Sequence, residues 1–321
     1  MNTKYDVIIV GAGPLGLACG IEAKRQGLKE LILDKGALVN SFVGYPTDLE
    51  FFSTPELLEI GKFPFTTRHY KPFRAEALEY YRHVAQASAL NIQLYETVQS
   101  IQGENEHFEI VTDKATYQSR KVILATGFFD VPILMNVEGE MLPKVQHYYK
   151  EPYPFVRQNV LVIGAKNSAA KAALDCYRHG ANVTLCIRGE EISSKVKYWI
   201  KPDLENRIED GSIKAYFQTT IQKITEDTVV LKTPDGEVVL ENDWVLAMTG
   251  YQPDFGMLAN WGIAFEEDGW RTPVHNRETM ETNREGVYLA GVVCGGMRTN
   301  VWFIENSRVH AEIIVQHILA A

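Results

Sequence analysis

Two stretches of this chain share one pattern of apolar and polar positions. Each has an unbroken apolar run, a small-residue turn, a segment with helical spacing and a second apolar run. The first stretch spans 5–34. Val7 to Val10 precede Gly11, Gly13 and Gly16; Leu17, Ala18 and Ile21 follow at helical spacing; Leu31 to Leu33 close it. Short apolar runs of this length predict buried strands, and the i, i+4 spacing predicts a helix face. Pro14 suits the helix's first turn and Gly27 its C-terminal cap. The second stretch spans 159–188. Val160 to Ile163 precede Gly164, Lys166, Asn167, Ser168 and Ala169, and Val183 to Ile187 close it.

The pattern between and after these units is less regular. Segment 36–75 holds Pro46, Pro55, Pro64 and Pro72 among many aromatics. That proline spacing excludes one long helix, so we expect irregular structure with short helical turns, shaped to line a pocket. Residues 75–89 predict a helix with Leu78, Tyr81 and Ala85 on one face. Strands are expected over 92–102, 107–112 and 115–119, then a buried strand from Val122 into Thr126 and Gly127. Residues 213–250 are β-rich. Pro234 to Gly236 predict a hairpin turn, and the last strand ends at Thr249 and Gly250. The repeated Thr-Gly ending marks a distant internal duplication. A strand over 286–291 and a helix over 300–319, capped by Thr299 or Asn300, complete the expectation. That helix's first N–H groups would face an electron-rich ligand edge.

Composition narrows the classes. A chain of 321 residues predicts about two domains. A net charge of −9 gives no support to nucleic-acid or anionic-membrane binding. No apolar run approaches the ~20 residues of a membrane helix. The chain enters its first strand at once, so we expect no signal peptide and a cytoplasmic location. Cys19, Cys176, Cys186 and Cys294 form no C-x-x-C pair, and the histidines show no ligand spacing. Zinc and a local dithiol are both disfavoured.

The chemistry lies in and beyond each turn. Gly11, Gly13 and Gly16 let the backbone approach a pyrophosphate, whose charge the helix N-terminus stabilises. About twenty residues on, the first unit reaches Asp34, which suits a free ribose diol; the second reaches Arg188, which suits a 2′-phosphate. Lys195 and Lys197 lie just beyond Arg188. The pair therefore implies one site for FAD and one for NADPH, with hydride passing from NADPH into FAD. Cys294 lies close in sequence to the expected flavin-facing helix end, a weak candidate for a reacting thiol; a buried inert thiol is the competing reading for it and for Cys19.

Many stretches resemble the thioredoxin-reductase-like branch of two-dinucleotide-domain flavoproteins, and more closely its bacillithiol-disulfide reductase family. They include Tyr45 to Thr47, Phe51 to Ser53, Ala77 to Arg82, Leu142 to Val145, Lys166 to Ala169, Gly180 to Thr184 and Phe303 to Asn306. The resemblance runs nearly end to end. It implies an α/β fold of two Rossmann-like three-layer dinucleotide-binding domains, the second inserted in the first. Residues 1–127 and 251–321 would bind FAD and 128–250 NADPH, with hinges near 127–131 and 250–254. It also implies a homodimer and a low-molecular-weight disulfide as acceptor. By position, Gly11, Gly13, Pro14, Leu15, Gly16, Asp34, Lys35, Thr126, Gly127, Gly291 and Val301 would hold FAD. Gly164, Lys166, Asn167, Ser168, Ala169, Arg188 and Lys195 would hold NADPH.

Two positions depart from that resemblance. The family usually carries a cysteine in the first loop where this chain has Leu15, and many relatives carry an acid where it has Val292. Without the loop cysteine, a second acceptor class stays open: ferredoxin, flavodoxin, a quinone or oxygen, or another redox protein. A flavin-monooxygenase linker, F-x-G-x-x-x-H, would fall on Met141, Pro143 and His147 and match only at the histidine.

Overall fold

Val7 to Val10 are almost unexposed, so β1 (Lys4–Val10) is a central strand in the computed structural model, which describes residues 4–320. The chain turns at Gly11 and enters α1 (Pro14–Arg25) with proline in its first turn. Gly27 takes φ +80° just past its end, the left-handed step that closes a helix. β2 (Glu30–Leu33) then pairs parallel to β1.

The proline-rich segment holds two short helices, α2 (Asn40–Gly44) and α3 (Pro55–Leu58), in irregular chain. Its aromatics divide between packing and exposure. Phe65 is buried and stacks on Tyr80 at 4.3 Å, whereas Phe52 and Tyr70 are exposed. α4 (Arg74–Ala87) holds this segment through phenols: Tyr80 donates to the Phe63 carbonyl at 2.8 Å and Tyr81 to the Leu58 carbonyl at 2.7 Å.

The run expected over 92–102 is two strands, β3 (Ile92–Gln93) and β4 (Val98–Glu104), because Tyr95 takes φ +55° between them. β5 (His107–Thr112) leads into β6 (Thr116–Leu124), which unites two runs expected to be separate. β7 (Val131–Pro132) ends this part.

The inserted part repeats the plan. β8 (Val145–Gln146) precedes β9 (Asn159–Ile163), α5 (Asn167–Arg178), β10 (Asn182–Cys186), α6 (Lys201–Glu209) and β11 (Lys214–Tyr216). β12 (Thr220–Ile224), β13 (Thr228–Thr233) and β14 (Gly236–Glu241) form an antiparallel sheet. β15 (Trp244–Ala247) returns beside β9. The parallel sheet runs β11-β10-β9-β15-β8. Alternation along β9 decides the layers. Val160 and Val162 face the core of α5, with Ala169, Ala172 and Ala173; Leu161 and Ile163 face the second core, with Ile221, Val229 and Leu231. Alanines on α5 let helix and sheet approach closely, which explains a helical face of such small residues.

The chain then forms β16 (Tyr251–Gln252), α7 (Phe255–Asn260), β17 (Val287–Leu289), α8 (Ile304–Ser307) and α9 (His310–Ala320). β6 is the shared strand of the first sheet, ordered β3-β2-β1-β6-β5-β4. One edge of β6 pairs with β1; the other pairs with β5 in its first half and β17 in its second. Two compact units result. One holds the chain up to Gly44, Asp48–Val131 and the chain from Tyr251 onward; the other holds Tyr45–Thr47 and Pro132–Gly250.

The helix expected over 300–319 is corrected: it starts at Ile304 and breaks after Ser307. The Asn306 amide explains the late start. It accepts from the Phe303 N–H at 2.7 Å and donates to the Val301 carbonyl at 2.8 Å, holding 301–303 in a turn. Arg308, at the break, donates to the Glu56 and Glu59 carbonyls at 2.9 Å each. Thr299 and Asn300 therefore cap nothing.

The first glycine loop is the tightest point of this packing. A Cβ on Gly16 would overlap the Gly11 carbonyl oxygen, whereas one on Gly13 would meet nothing within 4 Å. Gly16→Ala should lower the thermal midpoint of the apoprotein by more than about 5 °C, and Gly13→Ala should leave it unchanged. Equal midpoints for the two variants, read by circular dichroism, would contradict this account.

Candidate dinucleotide-binding sites

Asp34 leaves the end of β2 and is fixed on both oxygens. Oδ2 accepts the Ala12 N–H at 2.7 Å and Oδ1 accepts the Gly36 N–H at 2.8 Å. Burial raises its carboxyl above the ordinary carboxylate range. The two backbone bonds oppose that shift, nearby Asp130 adds to it and Lys35 opposes it. Each carboxylate oxygen keeps a further lone pair, the requirement for reading a ribose diol. Lys35 pairs with Asp130 at 2.9 Å, so its ammonium already has a protein partner, and Asp130 carried no sequence signal.

Gly11, at φ +112°, lies against the Ala125 carbonyl; Gly13 and Pro14 open the helix with no side-chain cap. The open space over Gly13 and Gly127 is the kind of cradle a diphosphate needs. Thr126 gives a second test. Its Oγ1 is buried with no hydrogen-bond partner among the described residues, a state that costs about 1–3 kcal/mol unless a ligand satisfies it. The equivalent Thr249 in the other unit donates to the Ile133 carbonyl at 2.6 Å. The first unit thus leaves its threonine unsatisfied and the second does not. These residues fit FAD.

β6 and β17 end side by side, and the Ala290 N–H bonds the Leu124 carbonyl at 3.0 Å. Gly291 follows at φ +85°. A Cβ there would lie 2.9 Å from Leu15 Cγ, so the first loop packs directly on this turn. Val301 is exposed in the turn before α8. Behind Gly291 sits His310, a residue that sequence spacing did not single out. It is 2 % exposed, and its Nδ1 accepts the Gly291 N–H at 3.2 Å.

In the second unit Gly164 takes φ +134° against the Met248 carbonyl. Ala169 replaces a third glycine and is buried beneath the loop. Lys166 and Ser168 are exposed at the start of α5. Asn167 braces the protein: its Nδ2 donates to the Lys195 carbonyl at 3.1 Å, and its Oδ1 accepts the Lys197 N–H at 3.0 Å. Ser193 N–H bonds the Ala165 carbonyl at 3.1 Å. The basic segment is thereby tied to the glycine loop. Arg188 and Lys195 are both exposed, and the Arg188 guanidinium makes no hydrogen bond or ion pair among the described residues. A fork of five donors left in this way suits a phosphate. The residues fit NADPH.

The cysteines do not join either site. All four are buried and unpaired. Burial pushes the Cys19, Cys176 and Cys186 thiols up to about 12, and Cys294 higher still. Cys294 is 1 % exposed, so the thiol that sequence proximity singled out lies buried in the protein, where burial favours its protonated form. Among the described residues, no group of three or more His, Cys, Asp or Glu could hold a metal ion, and no helix is long and apolar enough to cross a membrane.

Comparison with known proteins agrees with this geometry. Residues 8–291 match the family described as pyridine nucleotide-disulphide oxidoreductase. Bacilliredoxin reductase Bdr of Bacillus subtilis is 44% identical over 317 residues, covering 98% of each chain. Two solved structures of bacillithiol disulfide reductase Bdr superpose with a TM-score of 0.96 and cover 99% of each chain. The Bacillus cereus enzyme is 40% identical and the Staphylococcus aureus enzyme 41%. The two Rossmann-like units, the fitted loops and this end-to-end similarity lead to one conclusion: the chain belongs to the pyridine nucleotide-disulphide oxidoreductase family, as an FAD- and NADPH-dependent flavoprotein reductase.

Proposed function

We propose that this enzyme reduces a low-molecular-weight thiol disulfide of the bacillithiol disulfide class. The observation that carries this reading is the pair of unlike readers, a backbone-fixed Asp34 and an unengaged Arg188, in a chain similar throughout to enzymes of that description. In this reading residues 1–127 and 251–321 hold FAD. Gly11, Gly13, Pro14, Leu15 and Gly16 cradle the diphosphate, Asp34 and Lys35 take the ribose end, and Thr126, Gly127, Gly291 and Val301 border the rest. Residues 128–250 hold NADPH: Gly164, Lys166, Asn167, Ser168 and Ala169 at the diphosphate, Arg188 and Lys195 at the 2′-phosphate. The molecule acts as a homodimer in the cytoplasm, where four unpaired cysteines fit a reducing compartment.

Bound FAD supplies a two-electron relay between NADPH and the disulfide. Overall, NADPH, one proton and one disulfide give NADP⁺ and two thiols. Ordinary disulfide cleavage needs an attacking thiolate. This chain offers none: Leu15 stands in the loop, and the four cysteines are buried. The residues therefore bind, orient and exclude water, and no protein sulfur accepts a substrate sulfur.

Three measurements test this. Under anaerobic conditions, NADPH-reduced enzyme should be reoxidised by bacillithiol disulfide; reoxidation only by a quinone or ferredoxin would move the assignment to an electron-transfer reductase. Arg188→Ala should raise KM for NADPH by about 30-fold while changing that for NADH less than about twofold, and equal losses would refute the 2′-phosphate role. Iodoacetamide applied to the NADPH-reduced enzyme should leave turnover unchanged, because no reactive thiol is present; inactivation by one alkylated cysteine would overturn the thiol-free account.

A further inference from the structure

The sequence predicts that the final helix meets the flavin site through its N-terminal N–H groups; the structure divides that helix after Ser307 into α8 and α9. What α9 offers is a side chain. His310 opens α9 and is buried. Its Nδ1 accepts the Gly291 N–H at 3.2 Å, which places the ring proton of the neutral imidazole on Nε2. The Trp302 ring meets the imidazole edge-to-face at 4.7 Å, so the ring cannot turn without displacing it. Gly291 sits at φ +85° and touches Leu15 of the first glycine loop. A chain of direct contacts thus runs from α9 through His310 and Gly291 into that loop.

We propose that His310 is a positioning residue for the flavin: by accepting the Gly291 N–H on Nδ1 it fixes the turn on which Leu15 rests. The inference rests on the assignment of Gly291 and the first loop to FAD. Burial, with His275 nearby, holds the His310 imidazole down at about 4, so the acceptor lone pair is present at neutral pH. Removing the acceptor would leave a buried N–H unpaired and free the turn to move.

The test compares His310→Leu, which deletes the acceptor, with His310→Asn, whose Oδ1 falls near the place of Nδ1. The FAD dissociation constant of reconstituted apoprotein and the midpoint potential of the bound flavin are measured for each. The leucine variant should bind FAD about tenfold more weakly and shift the potential, and the asparagine variant should stay within about twofold of wild type. Unchanged affinity and potential in the leucine variant would overturn the proposal, as would an asparagine variant as impaired as leucine. Should the leucine variant not fold, nitrogen NMR of the histidines in FAD-loaded wild type still decides. An unprotonated His310 Nδ1 supports the role and a protonated one refutes it. Wild-type protein that takes up no FAD would sink the flavin assignment and this proposal together, whereas an unaffected leucine variant sinks this proposal alone.

Discussion

Nothing larger than hydrogen fits on the Cα of Gly11 or Gly16. The first lies against the Ala125 carbonyl and the second against the Gly11 carbonyl. This contact brings β1, the head of α1 and the end of β6 to one point. Open space over Gly13, the fixed Asp34 carboxylate and the unsatisfied Thr126 hydroxyl all surround it. Polar backbone is exposed there because small residues exclude side chains from the loop, and the α1 N-terminus supplies the positive end of its dipole.

The two units share this plan and diverge in what they do with it. Both place a loop at the carboxyl ends of parallel strands, where ligands of open α/β sheets bind. The first adds a β-meander to its parallel sheet through β6; the second covers one sheet face with the separate sheet β12-β13-β14. The second loop also accepts Lys166 and Ala169 where the first has glycines. Cationic side chains therefore stand around the second loop, while bare backbone and a carboxylate border the first.

Much of this is legible in the chain. The β1–α1–β2 and β9–α5–β10 units follow from local apolar period and glycine spacing, both nearest-neighbour signals. The hairpin over 234–236 follows from turn chemistry in the same way. Other features depend on contacts far apart in sequence. The break after Ser307 involves Arg308 reaching carbonyls of residues 56 and 59, and no local period encodes that. His310 looks like any polar residue at the start of an apolar helix; its role appears only when Gly291 is brought beneath it. The place of Asn167 in the loop marks it in the sequence, but the bonds of its amide to the chain at 195–197 depend on a contact far away along the chain. Cys294 likewise draws attention by proximity in sequence, which carries no information on depth.

The unequal threonines bear on how long each guest stays. A group hydrogen-bonded to Thr126 would leave an orphaned hydroxyl behind on departure, a penalty of about 1–3 kcal/mol added to its escape. Thr249 is already content with the Ile133 carbonyl, so vacating the second unit strands no equivalent oxygen. Departure of a ligand from the first unit would therefore be the costlier of the two at this position.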